Sequence, residues 1–302
     1  MRIGIISLGD IAQKAYLPVI TNNPELELVL CSRNKETLSM ISKQYKIKEY
    51  YETVEELIQS GIEAAFIHSA TEVHGEIAEK LLNNKINVYV DKPLAYSYEE
   101  AERVIRCAEQ NNKILMVGFN RRFAPMYKNL KEQAEPNLIL VEKNRTFIPD
   151  NVRKFIFDDF VHVVDTLRYL IPGEIESINV DGLKKEDKLY SVVVKLSGKG
   201  FTAIGIMNRD SGITEESIEI ICPGNKWIIK DMVHTTHYKA GEEKIIKFND
   251  WDSTLYKRGF YGVIDHFINC IKHEETPNPS AKDSLITHEI CEKIVGALEN
   301  LI

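Results

Sequence analysis

Five short apolar runs, RIGIIS, LELVLCS, AAFIHSA, INVYVD and ILMVGFN, divide the first 120 residues. Between them lie stretches with apolar residues at helical spacing: IAQKAYLPVI, ETLSMISKQY, TVEELIQS, EIAEKLLNN and YEEAERVIRCAEQ. A strand wetted on one side alternates apolar and polar residues, whereas an unbroken apolar run is covered on both faces. Strands of that kind separated by helices predict a doubly wound α/β domain, a parallel sheet built with right-handed crossovers.

Beyond RRFAPMYKNLKEQAEP the pattern changes. One strong helix, DDFVHVVDTLRYLI, precedes longer alternating runs such as LYSVVVKLSG, FTAIGIMNRD and SIEIICPG. These predict a C-terminal α+β domain with a largely antiparallel open sheet, and Ser197-Gly198-Lys199-Gly200 marks a hairpin. Two helices close the chain, TLYKRGFYGVIDHFINCIKH and AKDSLITHEICEKIVGALENL. The expected domains are 1–120 and 121–302, with room for the final helices to pack back on the first. A length of 302 residues suits two domains.

The net charge of −7, without a long basic run, argues against nucleic acid or an anionic membrane as partner. No apolar run approaches the roughly 18–20 residues that span a bilayer. The opening MRIGIIS enters an apolar strand without the regions of a signal peptide. Five scattered cysteines (Cys31, Cys107, Cys222, Cys270, Cys291) contain no CxxC and no metal-ligand spacing. Reduced thiols in a cytoplasmic protein are expected. His234 and His237, three apart on a strand, point to opposite faces, so no metal site is expected there.

The first βα turn reads Ser7-Leu8-Gly9-Asp10-Ile11-Ala12, which is G-x-G-x-x-G/A with serine in the first place. A helix N-terminus offers free N–H groups and a positive dipole end to a pyrophosphate. Gly9 lets backbone approach it, and Ala12 permits tight helix–strand packing. Ser7, Gly9, Asp10 and Ile11 are therefore candidate cofactor contacts in a Rossmann domain; the alternative is an ordinary tight turn. After the second strand, where an acid would hold the ribose diol of NAD, stand Ser32 and Arg33. A hydroxyl beside a guanidinium suits the 2′-phosphate of NADP(H). A solvated arginine is the other reading.

Ligands of open α/β sheets sit outside the carboxyl ends of the strands. Asp91-Lys92-Pro93 is at one such end, with the lysine held by a restrained backbone. In the helix IFDDFVHVVDTLRYLI, residues Asp158, His162, Asp165 and Tyr169 fall within a sector of about 60°, opposite Phe160, Val163, Val164 and Leu167. Asp158 and His162 are four apart, so the carboxylate can orient the imidazole as a general acid/base. A polar stripe facing solvent would show the same spacing.

Taken together, GIISLGDIAQKAYLP, HSATEVH, VYVDKPLA, MVGFNRRFAP and the D-x-x-x-H-x-x-D helix resemble the glucose–fructose oxidoreductase/inositol dehydrogenase (Gfo/Idh/MocA) family over essentially the whole chain. IAQKAYLPV, DKPLA, GFNRRFAP and DDFVHVVDT look most like its MviM-like branch. The resemblance implies that Lys92 is the lysine of the E-K-P motif, which positions substrate and nicotinamide and assists proton transfer. It makes His162 the acid/base on the substrate hydroxyl and Asp158 its supporting carboxylate. It implies a cis Lys92-Pro93 peptide, a cofactor-side stretch carrying Ser69, Thr71 and His74, and a ribose contact from Asp91. Arg122 and Asp165 fall on the substrate side.

Four residues depart from the family pattern: Ser7, Ala70 for a proline, Asp91 for glutamate, and Phe160 for a small residue. Arg121, Arg122, Arg153 and Lys154 suggest either a cationic rim for an anionic substrate or salt bridges between domains. Val193, Ile204, Ile206 and Ile221 make the second sheet face semi-apolar, which predicts a homodimer or homotetramer through the C-terminal sheet. The expected activity is NAD(P)-dependent hydride transfer, NADP(H) favoured and NAD(H) possible, on a hydroxyl-bearing carbon of a sugar, cyclitol or related polyol. The alternatives are a non-catalytic dinucleotide sensor or scaffold, and transient oxidation that drives elimination or hydrolysis.

Overall fold

The computed structural model describes residues 1–133 and 135–300, and they form two compact units. One comprises Met1–Phe119 with Phe260–Ile286; the other comprises Asn120–Gly259 and the chain from Thr287 onward.

The first unit holds six parallel strands: β1 (Arg2–Ile6), β2 (Glu27–Cys31), β3 (Tyr50–Tyr51), β4 (Ala64–Ile67), β5 (Asn87–Asp91) and β6 (Leu115–Gly118). Their order is β3-β2-β1-β4-β5-β6, so the winding reverses between β1 and β4. Every residue of β4 and β6 is buried, as unbroken apolar runs demand. The helices are α1 (Leu17–Ile20), α2 (Lys35–Tyr45), α3 (Val54–Gln59), α4 (His74–Asn83) and α5 (Tyr98–Asn111). Local chemistry sets several of their starts. Asn34 caps α2, Thr53 and Glu56 form a capping box on α3, and Ser97 caps α5. Before α1 the helix is π-helical over Ala12–Tyr16.

The second unit is an eight-stranded sheet of β7 (Leu138–Asn144), β8 (Ser177–Lys185), β9 (Lys188–Gly198), β10 (Phe201–Asn208), β11 (Glu215–Cys222), β12 (Asn225–Lys230), β13 (His234–Lys239) and β14 (Glu242–Lys247). In the order β14-β13-β12-β11-β7-β10-β9-β8 only the β7/β10 pair is parallel. Lys199-Gly200 closes the β9/β10 hairpin, with Gly200 at φ 82°. Its helices are α6 (Pro125–Gln133), α7 (Val152–Lys154), α8 (Val161–Leu170) and α9 (Thr254–Lys257). Helix α10 (Phe260–His273) belongs to the first unit, where Phe267 meets Phe66 and Tyr89 edge-on at 5.2 and 5.5 Å. Helix α11 (Ala281–Glu299) begins in the first unit and ends in the second.

Helix α8 sits close on the sheet because β10 carries Gly205. A Cβ there would lie 2.8 Å from Val163 Cγ1 and 2.9 Å from Leu167 Cδ1. Phe160 Cζ stands 3.4 Å from the same point, so its ring fills the sheet–helix core as the helical wheel predicts.

Candidate active site

The Ser7–Ala12 turn has a left-handed first residue that is not glycine. Ser7 adopts φ 66°, and its N–H donates to the Cys31 carbonyl at 2.9 Å. A non-glycine residue in the left-handed region costs about 1 kcal/mol, so the turn demands the conformation rather than the residue. A Cβ at Gly9 would meet nothing within 4 Å, and this open space at a helix start fits a dinucleotide pyrophosphate. Asp10 is exposed and pairs with Lys14 at 2.7 Å, while Ile11 borders solvent. At the end of β2, Ser32 Oγ accepts the Asn34 N–H at 3.3 Å. Arg33 is exposed, and no carboxylate of a described residue pairs with it.

The carboxyl ends of β4 and β5 are tied together by His74. Its Nδ1 lies 2.7 Å from the Pro93 carbonyl and its Nε2 2.9 Å from the Ser69 carbonyl, with the ring buried. His74, expected on the cofactor side, therefore holds the loop that carries Lys92 rather than an open surface. Lys92-Pro93 is cis, Lys92 is half-buried, and Thr71 opens the short turn ahead of α4. Asp91 Oδ1 accepts the Tyr16 hydroxyl at 2.7 Å, and Tyr16 Oη lies 2.9 Å from Tyr89 Oη. Burial, then the Asp91 charge, pushes the Tyr16 hydroxyl well above its ordinary range, so it remains a donor.

One residue here was not singled out by sequence. His68, just past β4, is buried with neither ring nitrogen hydrogen-bonded, and its ring lies 4.0 Å from that of Tyr16, tilted by 30°. Burial, with His74 adding to it, pushes this imidazole down to about 3, which leaves it neutral. A histidine inside an otherwise apolar strand run was the available signal.

In the second unit the helix that carries His162 is not uniform. Phe155–Phe160 is π-helical between α7 and α8, so the constant 100° step does not hold through Asp158, although Phe160 keeps its core position. His162 is 8% exposed and Asp165 1%, and Asp158 lies half-buried one turn earlier. The polar sector is thus largely interior rather than a solvated stripe. Arg122 forks onto Asp165 at 2.9 and 2.7 Å, and the Thr287 hydroxyl adds a bond to that carboxylate at 3.1 Å. The two substrate-side candidates satisfy each other. Arg121 forks onto Glu216 at 2.6 Å twice, wholly within this unit, which corrects its assignment as a salt bridge between domains. Arg153 pairs with Glu292 at 2.7 and 3.0 Å. A further group went unnoticed in sequence: Lys143, Arg145 and Arg209 converge on Asp159, one turn before His162.

Among the described residues no helix is long and apolar enough to cross a membrane. The family model of NAD-binding Rossmann oxidoreductases, Gfo/Idh/MocA, matches residues 1–119, and a YceM-like C-terminal domain matches residues 125–240. The chain is 34% identical to the protein of Salmonella typhimurium named "Putative oxidoreductase YceM", over 97% of both chains. It is 28% identical to scyllo-inositol 2-dehydrogenase (NAD(+)) of Bacillus subtilis, over 96% of this chain and 92% of that one. The crystal structure of the dehydrogenase MviM from Clostridium difficile superposes with TM-score 0.94 at 33% identity, covering 98% of this chain and 99% of that one. With its Rossmann sheet and its full-length relatives, the chain belongs to the Gfo/Idh/MocA family of oxidoreductases.

Proposed function

We propose that this enzyme is an NADP(H)-preferring dehydrogenase acting on a hydroxyl-bearing carbon of a sugar, cyclitol or related polyol. The observation that carries the reading is the Ser7–Ala12 turn, with its left-handed Ser7 and the open space at Gly9. The Bacillus subtilis relative, named for an inositol, supports the polyol class. Exposed Arg33 beside Ser32 supports a 2′-phosphate contact, because a guanidinium forks onto phosphate oxygens. When bound, the dinucleotide accepts or supplies the hydride.

The chain supplies binding, orientation and proton handling. In this proposal Lys92, on a loop held at Pro93 by His74, stabilises charge at the substrate oxygen. His162 takes or gives the hydroxyl proton, and Asp158 supports its imidazole. Asp91 contacts the cofactor ribose with the oxygen that Tyr16 leaves open. Ser69 and Thr71 line the cofactor side, and Arg122 with Asp165 shapes the substrate side as a fixed pair. We place the enzyme in the cytoplasm, a reading supported by five unbridged cysteines.

Fluorescence titration of the purified protein with NADPH and NADH tests the cofactor. NADPH should bind more tightly, and Arg33→Ala should reduce that preference by about tenfold. Gly9→Ala should weaken both ligands while thermal unfolding stays nearly unchanged, since the added Cβ meets only open space. Tighter binding of NADH would make Arg33 a plain surface residue. Failure of both to bind the folded protein would remove the dinucleotide assignment.

The sheet face away from α8 presents Val193, 39% exposed, and half-buried Leu140, Ile204 and Ile206. We propose that a second copy covers it, giving a homodimer or a homotetramer. Light scattering should report a multiple of 34.6 kDa, and Ile204→Glu should shift the mass to that of one chain. A monomeric parent protein would rule this out.

A further inference from the structure

Four of the second unit's arginine sites can be compared by how their charge is met. Arg121, Arg122 and Arg153 each fork onto one carboxylate, those of Glu216, Asp165 and Glu292. The fourth site is different. Lys143, Arg145 and Arg209 all turn to the single carboxylate of Asp159. Lys143 makes a close ion pair with it, and Arg145 reaches it at 3.1 and 3.4 Å. Arg209 comes no nearer than 4.0 Å.

Arg209 is the telling residue. It is 9% exposed, yet its Nε and Nη1 have no hydrogen-bond partner. Its guanidinium lies over the Phe155 ring at 5.2 Å. The other carboxylates in its surroundings are Asp150, 40% exposed and 4.0 Å away, and Asp158, whose charge also acts on it. Leaving two nitrogens of a buried guanidinium without hydrogen bonds is costly. The charge state agrees with this. Burial lowers both Arg145 and Arg209 from the ordinary arginine value, and for Arg145 the neighbouring cations Arg121, Arg209 and Arg258 add to that fall.

The fold holds this cluster rigidly. β7 and β10 run parallel and end side by side, and there the Arg145 N–H donates to the Asn208 carbonyl at 2.8 Å. The Arg209 N–H donates to the Tyr190 carbonyl at 2.8 Å. The Arg145 side chain keeps 38% of its surface exposed, so the cluster opens to solvent on one side. Asp159 precedes His162 by one helical turn.

We propose that Lys143, Arg145 and Arg209 form an anion subsite, which receives the carboxylate or phosphate group of an acidic sugar or polyol substrate. The proposal rests on the dehydrogenase reading only for the word substrate; the subsite itself rests on the geometry above. Acidic oxygens complete the hydrogen bonding that Arg209 lacks.

Calorimetric titration of the full chain with D-glucose, D-glucuronate and D-glucose 6-phosphate tests it. At least one acidic probe should bind about tenfold or more tightly than glucose. Preference for glucuronate identifies a carboxylate site, and preference for the phosphate ester identifies a phosphate site. Arg145→Gln, at a partly exposed position that tolerates the change, should reduce the acidic probe to the affinity of glucose, and Arg145→Lys should restore part of the difference. Equal binding of all three probes, or a preference that survives Arg145→Gln, overturns the subsite. Nicotinamide absorbance with the same probes separates the two readings. Acid preference without any cofactor turnover leaves the subsite standing and removes the dehydrogenase assignment.

Discussion

Replacing Lys92 with alanine should lower turnover by about 10²–10⁴-fold and leave NADPH affinity within about threefold of the parent protein. The split follows from where the parts lie. The Ser7–Ala12 turn proposed for the pyrophosphate follows β1, whereas Lys92 lies in the loop after β5. That loop's backbone is fixed by the His74 bond to Pro93, which alanine at position 92 leaves in place. The measurement pairs steady-state rates at saturating NADP(H) with a cofactor titration of the same preparation. Near-parental turnover would sink the assignment of Lys92. In parallel, His162→Ala should lower turnover by about 10²–10⁴-fold with NADPH affinity preserved, as expected for loss of a general acid/base.

The second large effect concerns stability. Arg121→Met should destabilise the second unit by about 3–5 kcal/mol, because it strands the Glu216 carboxylate in the interior. Burial by itself pushes that carboxyl up. The Arg121 guanidinium, assisted by Lys143 and by the Tyr127 hydroxyl at 3.1 Å, outweighs burial and holds it at about 2. A carboxyl depressed in the folded state stabilises above its unfolded value, near 4.3, and that contribution is lost as pH falls toward 2. Urea unfolding of the parent protein between pH 6 and pH 2 should show this loss, and Glu216→Gln should remove the increment. The paired change Arg121→Met with Glu216→Met should recover most of the deficit, since apolar groups leave no charge behind. A single variant as stable as the parent would show that the pair contributes little.

The parallel sheet was legible because burial on both faces leaves unbroken apolar runs, and Val88–Val90 or Ala64–Ile67 show this in sequence without help. The candidate site was legible where one short segment holds it, as in Ser7–Ala12 or Asp91-Lys92-Pro93. It was hidden where distant segments meet. Arg122 and Asp165 are 43 residues apart in sequence, and no local spacing announces that they neutralise each other. Arg145 and Arg209 meet only because β7 and β10 end together. The π-helical Phe155–Phe160 shows a different limit, since a helical wheel assumes a constant step that backbone packing is free to break. His74, the first residue of α4, points to two carbonyls that no pattern of side chains reveals.

The bond between Tyr16 and Asp91 reaches beyond this one chain. The phenol hydroxyl fits the reach of an aspartate, and a glutamate at position 91 would carry its carboxylate one methylene past it. Gly118 closes the third side, since a Cβ there would stand 2.4 Å from Tyr89 Oη and 3.0 Å from Tyr16 Oη. Across relatives, positions 16, 91 and 118 should therefore covary: a longer acid at 91 should come with a different residue at 16, and tyrosines at 16 and 89 with glycine at 118.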